Sequence, residues 1–226
     1  MDNLKKYYTT IYAQCFSPCQ KYLVAASNYG EIAVFAASEF LSNEETEAED
    51  HSRDPIYKFQ AHSSSIFALV MSEDFLISGG NGEILAWDWS SLKKKSAKKS
   101  WSLSIPQGEN IVQPEVNTLV LTGKICGGGP TLCIWHTRSL SPVTPLSDLK
   151  RPAHVAHFYS DMVVAAGGDP NVYHWSFSGD LKAKVETSAS NLYSIALNEE
   201  APYKVRHSAL LASLPRFCLG LTLVPV

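Results

Sequence analysis

The sequence predicts an all-β protein built from repeated four-stranded antiparallel units, the arrangement found in the blades of a β-propeller. Its main evidence is a hairpin pattern, two apolar strands around a turn of small residues, at 22–35, 75–88, 124–136 and 162–175. The second strand of each copy carries an aromatic residue near its end: Phe35, Trp87, Trp135 and Trp175. These aromatic residues recur at intervals of about 40 to 50 residues, close to the length of one blade. Such units cannot bury their faces alone, so the copies must stack.

Each unit is completed by one strand before its hairpin and a weaker strand after it. We name the four strands A, B, C and D in chain order, with B and C forming the hairpin. Strand A is predicted at 12–16, 66–71, 115–121 and 154–158, with a fifth copy at 192–197. Strand D is clearest at 56–59 and 181–185. The turns carry Ser-Pro, Asn-Gly, Gly-Pro or Asp-Pro pairs, which suit tight reversals.

Two charged inserts and the tail interrupt the repeat. The acidic insert at 42–54 and the basic insert at 92–100 are expected to be mobile surface loops. After residue 200 the chain is apolar without a clear period, and no hairpin is predicted there. We therefore predict propeller blades, as an incomplete ring, over 1–200 and a divergent, poorly ordered tail over 201–226.

Composition limits the classes of function. The chain has 226 residues and a net charge of −3, which does not suggest a general polyanion binder. It has no long apolar run and no apolar stretch near its start, so neither a membrane span nor a secretory signal is predicted. The five cysteines form no CxxC pair, which favours free thiols in a reducing compartment such as the cytosol or nucleus.

One unit has the residues for an internal hydrogen-bond chain. A histidine before strand A, a hydroxyl in strand B, an acid in the B–C turn and the tryptophan of strand C can pair their buried polar atoms. The candidates in the second unit are His62, Ser78, Asn81 and Trp87, with Asn81 where an aspartate is usual. The fourth unit has Asp169 six residues before Trp175 but no hydroxyl in strand B. The first and third units lack the acid, so the chain of bonds is predicted to be partial.

These residues resemble the WD40 repeat family. Ala61-His62 resembles the family's Gly-His pair, and Trp87-Asp88 is the dipeptide for which the family is named. A narrower resemblance, to the THO complex subunit 6 family, lies in FSPCQKYLVAASNYGEIAVF, FQAHSSSIFALV, CGGGPTLCIWHTRSL and HVAHFYSDMVVAAGG. That family consists of seven-bladed WD40 proteins of the nuclear mRNA-export machinery.

The narrower resemblance implies a function. It implies a non-enzymatic scaffold of the THO/TREX complex, with the other THO subunits as partners, that couples transcription and mRNA processing to nuclear mRNA export. It also implies a nuclear location, with nuclear speckles as a candidate compartment, and at most weak or indirect contact with RNA. An alternative is a substrate receptor of a cullin-RING ubiquitin ligase. Such receptors often have an Asp-Arg pair after the Trp-Asp site, but His136-Thr137-Arg138 keeps only the arginine.

The chain departs from the family in length. Seven blades need about 300 residues, whereas this chain supplies four hairpins and a fragment of a fifth unit. Its third unit is predicted to be composite, since 114–121 resembles the opening of the family's third blade and 122–135 resembles the rest of its fifth. We therefore expect an incomplete WD40-type propeller that lacks its middle blades, through alternative splicing or a faulty gene model. Four and a half blades should leave apolar faces open and favour aggregation.

No catalytic, cofactor or metal site is predicted, and neither a membrane nor a small-molecule substrate is expected as a partner. Cys133 and His136 should lie on opposite faces of a strand, as should His154 and His157. The glycines at 127–129 precede a strand rather than the helix that a phosphate-binding loop needs. One basic run has two possible interpretations: a solvated surface loop, or a weak candidate site for nuclear import or RNA contact. Its residues are Lys93, Lys94, Lys95, Lys98 and Lys99.

Overall fold

The computed structural model describes residues 5, 7–38, 54–106, 114–128, 131–140, 142–146, 148–197, 204–209 and 220–225. Two compact units divide the chain, Met1–Ser104 and Ile105–Val226. The acidic insert lies mostly outside the described residues.

The first compact unit, Met1–Ser104, contains two four-stranded antiparallel sheets, each formed by one of the predicted repeats. In each sheet, neighbouring strands are also neighbours in sequence. The first sheet consists of β1 (Ile11–Phe16), β2 (Tyr22–Ser27), β3 (Glu31–Ala36) and β4 (Tyr57–Gln60). The second consists of β5 (Ala68–Met71), β6 (Phe75–Gly79), β7 (Glu83–Asp88) and β8 (Lys99–Ser104). A short helix, α1 (Trp89–Leu92), connects β7 to β8.

Alternating side chains of the two sheets share one core. Val24 and Ala26 of β2 and Ile32 of β3 are fully buried and belong to the same cluster as Leu76 and Trp87 of the second sheet. Each large side chain buried in this way contributes about 1.5 to 3 kcal/mol relative to exposure. The stacking of one unit's face on the next therefore stabilises both, as the repeat requires.

The second unit contains two further four-stranded sheets and one of three strands. The third sheet is formed by β9 (Thr118–Leu121), β10 (Lys124–Gly128), β11 (Leu132–His136) and β12 (Pro142–Leu146). The fourth is formed by β13 (Ala153–Tyr159), β14 (Met162–Gly167), β15 (Asn171–Ser176) and β16 (Leu181–Glu186). The fifth contains β17 (Ser194–Leu197), β18 (Lys204–Ala209) and β19 (Gly220–Pro225).

Two clusters form the core of this unit. Leu132, Ile134 and Trp175 belong to a cluster that joins the third and fourth sheets. Val164 and Leu192 belong to a second cluster, which joins the fourth sheet to the chain that enters the fifth.

The prediction of an all-β fold made of four-stranded antiparallel units is confirmed. All four B–C hairpins form, and every predicted strand A is present, although three of them start later than predicted. The third and fifth start at Thr118 and Ser194 rather than at 115 and 192, and the second starts at Ala68 rather than at 66. The reason for the later start of the second is that the Ile66 amide donates a hydrogen bond to the Ser27 carbonyl of the first sheet, so Ile66 belongs to the linker.

The predicted composite unit forms one sheet. The turn between β9 and β10 contains the junction at 121–122, and the Thr122 amide donates to the Lys124 carbonyl over 2.8 Å. Across this turn β9 and β10 are paired in register, with Val120 opposite Cys126. The strands on either side of the predicted junction therefore pair as the corresponding strands of the other sheets do.

The expectation that no hairpin follows residue 200 is wrong. Strands β18 and β19 pair antiparallel, and β18 also pairs with β17. The sequence did not reveal this because strand pairing depends on the backbone partner as well as on side-chain alternation. The domain boundary at 200 and the poor order of the tail stay predictions.

Candidate functional site

A buried polar network links the two sheets of the first unit. His62 Nε2 lies 2.8 Å from Ser78 Oγ, and Trp87 Nε1 donates a hydrogen bond to the same oxygen over 3.0 Å. Ser78 Oγ is also 3.4 Å from the Leu85 carbonyl, which is the alternative acceptor for its single proton. His62, Ser78 and Trp87 are all buried. The structure thus brings together three of the four residues proposed for the hydrogen-bond chain of the second four-stranded repeat, whose strands form the second sheet.

Glu83 supplies the acidic group of this network. Its Oε1 lies 3.3 Å from His62 Nδ1, an ion-pair distance without hydrogen-bond geometry. A carboxylate beside Nδ1 favours a proton on that nitrogen, which leaves Nε2 to accept from the Ser78 hydroxyl. Desolvation by burial lowers the pKa of His62, and the opposing attraction of Glu83 only partly offsets it.

Asn81, the residue proposed for the acidic position, lies outside the network. Its buried Oδ1 has no hydrogen-bond partner among the described residues. Sequence reasoning missed Glu83 because it looked for the acid in the B–C turn. The available signal was alternation, since Glu83, Leu85 and Trp87 occupy one face of β7.

The backbone of His62 is held by the turn of the neighbouring sheet. The amides of Ala61 and His62 both donate to the Gly30 carbonyl, over 2.9 and 3.0 Å. Gln60 Nε2 donates to the Tyr29 carbonyl over 2.7 Å and to the His62 carbonyl over 2.6 Å. The ring of His62 therefore belongs to the second sheet and its backbone to the turn of the first, so this residue couples the two.

Asp88, the acid of the Trp-Asp dipeptide, caps α1. Its carboxylate accepts from the Ser91 amide over 2.8 Å and from the Ser90 hydroxyl over 2.7 Å. These hydrogen bonds from Ser91 and Ser90 lower the pKa of Asp88 to about 2. The side chain thus fixes the start of the helix that precedes the basic run.

The fourth unit has a different polar network, centred on Asp169. The carboxylate accepts from Tyr173 Oη over 2.7 Å, from the Asn171 amide over 2.8 Å and from Asn171 Nδ2 over 3.1 Å. Burial raises the pKa of Asp169, but the hydrogen bonds from Tyr173 and Asn171 outweigh it and the net pKa is lowered. Desolvation and the adjacent carboxylate raise the pKa of Tyr173 to about 12.

Tyr173 is a site residue that the sequence analysis did not identify. Its ring stacks on that of Trp175, with centroids 5.3 Å apart and an interplanar angle of 10°. Tyr173 therefore occupies the space between the turn acid and the buried tryptophan, where a strand-B hydroxyl would otherwise act. Trp135 of the third unit is also buried, at 2% exposure.

The groups considered for catalysis or metal binding have structural roles. Cys126 and Cys133 are buried, and desolvation raises both thiol pKa values, that of Cys133 to about 11. His154 stacks on Tyr193, and His157 Nε2 lies 3.0 Å from the Ile195 carbonyl. In the described part of the chain, no three His, Cys, Asp or Glu residues are grouped to hold a metal ion. No helix there has the length and apolar character needed to cross a membrane.

The basic run is exposed at the end of the second sheet. Lys93 is the C-cap of α1, Lys94 and Lys95 complete the turn, and Lys98 precedes β8, whose first residue is Lys99. The side chains of all these lysines are exposed. The insert at 92–100 is therefore exposed from 93 onward, but it is not a loop throughout: it begins at the last residue of α1, continues in a hydrogen-bonded turn and ends in β8.

Two kinds of known protein resemble the chain in sequence. The family described as "WD domain, G-beta repeat" matches residues 53–88. THO complex subunit 6 of Homo sapiens is 27% identical, over 87% of this chain and 85% of that protein. The THO complex subunit 6 homolog of Danio rerio is 30% identical, over 88% of this chain and 90% of that protein. The Danio rerio alignment has 296 positions, more than the 226 residues of this chain, so the relative contains internal residues without a counterpart here.

Solved structures support the fold. A chain of the crystal structure of the mitotic checkpoint complex superposes with a TM-score of 0.72 at 15% identity, over 90% of this chain and 59% of that one. The computationally designed Ika8 protein superposes with a TM-score of 0.67 at 17% identity, over 88% of this chain and 55% of the designed one. This chain thus spans less than two thirds of either solved chain.

The sequence identity to the Danio rerio protein, the extent of that protein covered and the repeated four-stranded sheets agree with one another. The chain belongs to the THO complex subunit 6 family and has WD40-type β-propeller blades.

Proposed function

We propose that this protein is a non-enzymatic scaffold subunit of a THO complex, which couples transcription and mRNA processing to nuclear mRNA export. The observation that carries the proposal is the 30% identity to a THO complex subunit 6 homolog over 90% of that protein's length. Its partners are then the other THO subunits. Its location is the nucleus, and within the nucleus we propose nuclear speckles. Contact with RNA is secondary to this role.

The chemistry of the described residues supports a scaffold. Two polar clusters of the kind that an enzyme could use are engaged in structural contacts, those of His62 with Ser78 and of Asp169 with Tyr173. Burial keeps the thiols of Cys126 and Cys133 protonated at neutral pH, because it raises their pKa values. Sheets with well-packed cores instead present loops in fixed positions, which suits binding to other proteins.

One observation favours the alternative function, a substrate receptor of a cullin-RING ubiquitin ligase. Arg138 is exposed in the turn after Trp135, beside a surface cavity of about 470 Å³ lined also by His136, Thr137 and Gly123. Thr137 precedes Arg138 where such receptors have the aspartate of their Asp-Arg pair, so the acidic half of the docking pair is missing. The THO assignment is therefore preferred.

Affinity purification tests the proposal. The tagged chain and a tagged full-length relative are purified in parallel from the same cells, and bound proteins are identified by mass spectrometry. We expect THO subunits with both baits, in smaller amount with this chain if the absent blades contribute to docking. Recovery of cullin-ligase adaptors without THO subunits, from a bait that melts cooperatively, would reject the proposal. An Arg138→Ala bait is the control, because it should lose adaptor proteins but keep THO subunits.

A further inference from the structure

The lysines after α1 stand on a fixed backbone. The helix is anchored by Trp89 and Leu92, which are 4% and 1% exposed. The amides of Lys93, Lys94 and Lys95 donate to the carbonyls of the residues in α1 over 2.9 to 3.1 Å. The loop closes where the Asp88 amide donates to the Lys98 carbonyl over 2.9 Å. The positions of the lysine Cα atoms are therefore set before any ligand binds, which lowers the entropic cost of binding.

The charges of this lysine platform, which we define as Lys93, Lys94, Lys95, Lys98 and Lys99, are not neutralised by ion pairs. Within the described ranges none of these side chains forms a salt bridge or a cation–π contact. Lys98 interacts electrostatically with Asp88, which is charged at neutral pH and so offsets part of the positive charge of the platform. Two further acids, Glu73 and Asp74, belong to the turn in which the Asp74 carbonyl accepts from the Trp89 amide over 2.9 Å. A local excess of positive charge remains on a chain whose net charge is −3.

The way the backbone is used argues against recognition as a linear peptide. A receptor that binds an extended segment forms hydrogen bonds with its main chain. The amides at 93–96 already donate within the loop, so an incoming receptor would have to break those bonds. The lysine side chains extend from this held backbone and offer positive charge to a ligand.

The lack of apolar surface argues against a protein partner at this point. Stable protein interfaces have an apolar core, and lysine is depleted in them. In this loop the large apolar side chains, Trp89 and Leu92, point inward, and the exposed segment 93–100 contains only lysine, serine and Ala97. A phosphodiester backbone needs no apolar partner, because its binding is driven by the release of counterions.

We propose that the lysine platform binds the phosphodiester backbone of a nucleic acid without sequence specificity. The site depends on the geometry of one loop and not on membership of a THO complex, so each proposal can fail without the other. Phosphate contacts of this kind hold a strand in place and carry no base information. With five lysines the logarithm of the binding constant should fall against the logarithm of salt concentration with a slope no steeper than about −3.5.

The test measures binding of fluorescent oligonucleotides of about 20 nucleotides by anisotropy across a salt series. The purified full chain is compared with the variant Lys93→Gln, Lys94→Gln, Lys95→Gln. A control variant, Lys21→Gln, Lys150→Gln, Lys182→Gln, changes the net charge equally at exposed positions elsewhere. Single-stranded RNA, single-stranded DNA and polyglutamate serve as probes, and circular dichroism verifies that each variant is folded.

We expect the platform variant to bind oligonucleotides about 100-fold more weakly at about 0.1 M salt and to lower the steepness of the salt slope by about 2. The control variant should bind like the parent. Loss on either oligonucleotide supports the proposal, and the tighter of the two identifies the polymer held. Equal binding by the parent and the platform variant, equal loss in the control, or binding of polyglutamate alone would overturn it. So would a platform variant that is excluded from the nucleus but binds nucleic acid normally, because the run would then act as an import signal.

Discussion

Trp87 Nε1 donates a hydrogen bond to Ser78 Oγ across the β6–β7 hairpin over 3.0 Å, and both side chains are buried. The same oxygen is 2.8 Å from His62 Nε2, so one hydroxyl satisfies two buried nitrogens. Loss of Ser78 Oγ should therefore lower the free energy of unfolding of the compact unit Met1–Ser104 more than loss of any single methyl group near it.

Ser78→Ala should therefore destabilise the protein. The change leaves Trp87 Nε1 and His62 Nε2 unpaired, and each unsatisfied buried group costs about 1 to 3 kcal/mol. Urea denaturation measures the change in the free energy of unfolding. Ser102→Ala, at an exposed serine of the same sheet, is the matched control and should be nearly neutral. Equal midpoints for the two variants would contradict the network.

The contribution of His62 should depend on pH. Because burial lowers its pKa in the folded state, the proton binds more tightly to the unfolded chain. The stabilising effect is then complete above the ordinary histidine pKa of about 6.5 and decreases as the pH falls toward the lower folded value.

This pH dependence is measured by comparing the parent with His62→Gln from about pH 7.5 to about pH 5.5. The difference in the free energy of unfolding should narrow as the pH falls. His154 and His174, whose pKa values burial also lowers, are present in both proteins and cancel in the difference. A difference that widens in acid would mean that the Glu83 ion pair dominates.

Gly30 should not accept a side chain. Its φ is +75°, and a Cβ atom there would lie 2.1 Å from the His62 carbonyl oxygen. The backbone strain alone costs about 1 to 3 kcal/mol, and the clash would also displace the backbone of His62. We expect Gly30→Ala to lower the thermal midpoint by several degrees. Gly123→Ala is the control, since a Cβ at that position has no neighbour within 4 Å. Similar midpoints in the two variants would disprove the close approach.

Tyr173→Phe tests the network of the fourth unit. The variant keeps the ring stacked on Trp175 but removes the hydroxyl that donates to Asp169 over 2.7 Å. A hydrogen bond to a charged group is worth about 1.5 to 3 kcal/mol, and a loss in that range is expected in urea at neutral pH. The loss should shrink in acid, because Asp169 has a lowered pKa and its stabilising charge disappears on protonation. Tyr193→Phe, at an exposed tyrosine, should have no such effect.

The junction between Leu121 and Thr122 predicts a boundary in the gene. Because it lies in the A–B turn of a complete sheet, removal of whole blades between equivalent turns would leave strand pairing intact. Sequencing of the transcript and of the genomic DNA across these codons should find an exon junction or a gap. A continuous exon would refute the loss of internal blades. The expected open faces and aggregation remain a prediction, which light scattering of the purified chain can test.

Local patterns were enough to predict the hairpins. Residues Phe75 to Asp88 form two apolar runs around an Asn-Gly turn, and both apolar character and turn chemistry are properties of adjacent residues. The same is true of the inner strands and of the clearest outer ones, such as β16, so the number and type of the four-stranded units could be predicted.

Contacts between strands could not be predicted in this way. Whether Asn81 or Glu83 approaches His62 depends on where the backbone of the neighbouring linker places the imidazole ring, and that position is set by the Gly30 carbonyl. The hydroxyl of Tyr173 reaches Asp169 from four residues away because the turn folds back on its own strand.

By itself, the sequence determined the all-β class, the repeated unit and its order along the chain, because period and turn residues act over a few positions. Tertiary structure decided which polar groups meet, how the basic run is held, and that the tail pairs as β18 and β19. Those outcomes depend on distances between segments far apart in the chain, and an ångström decides whether a buried atom finds its partner.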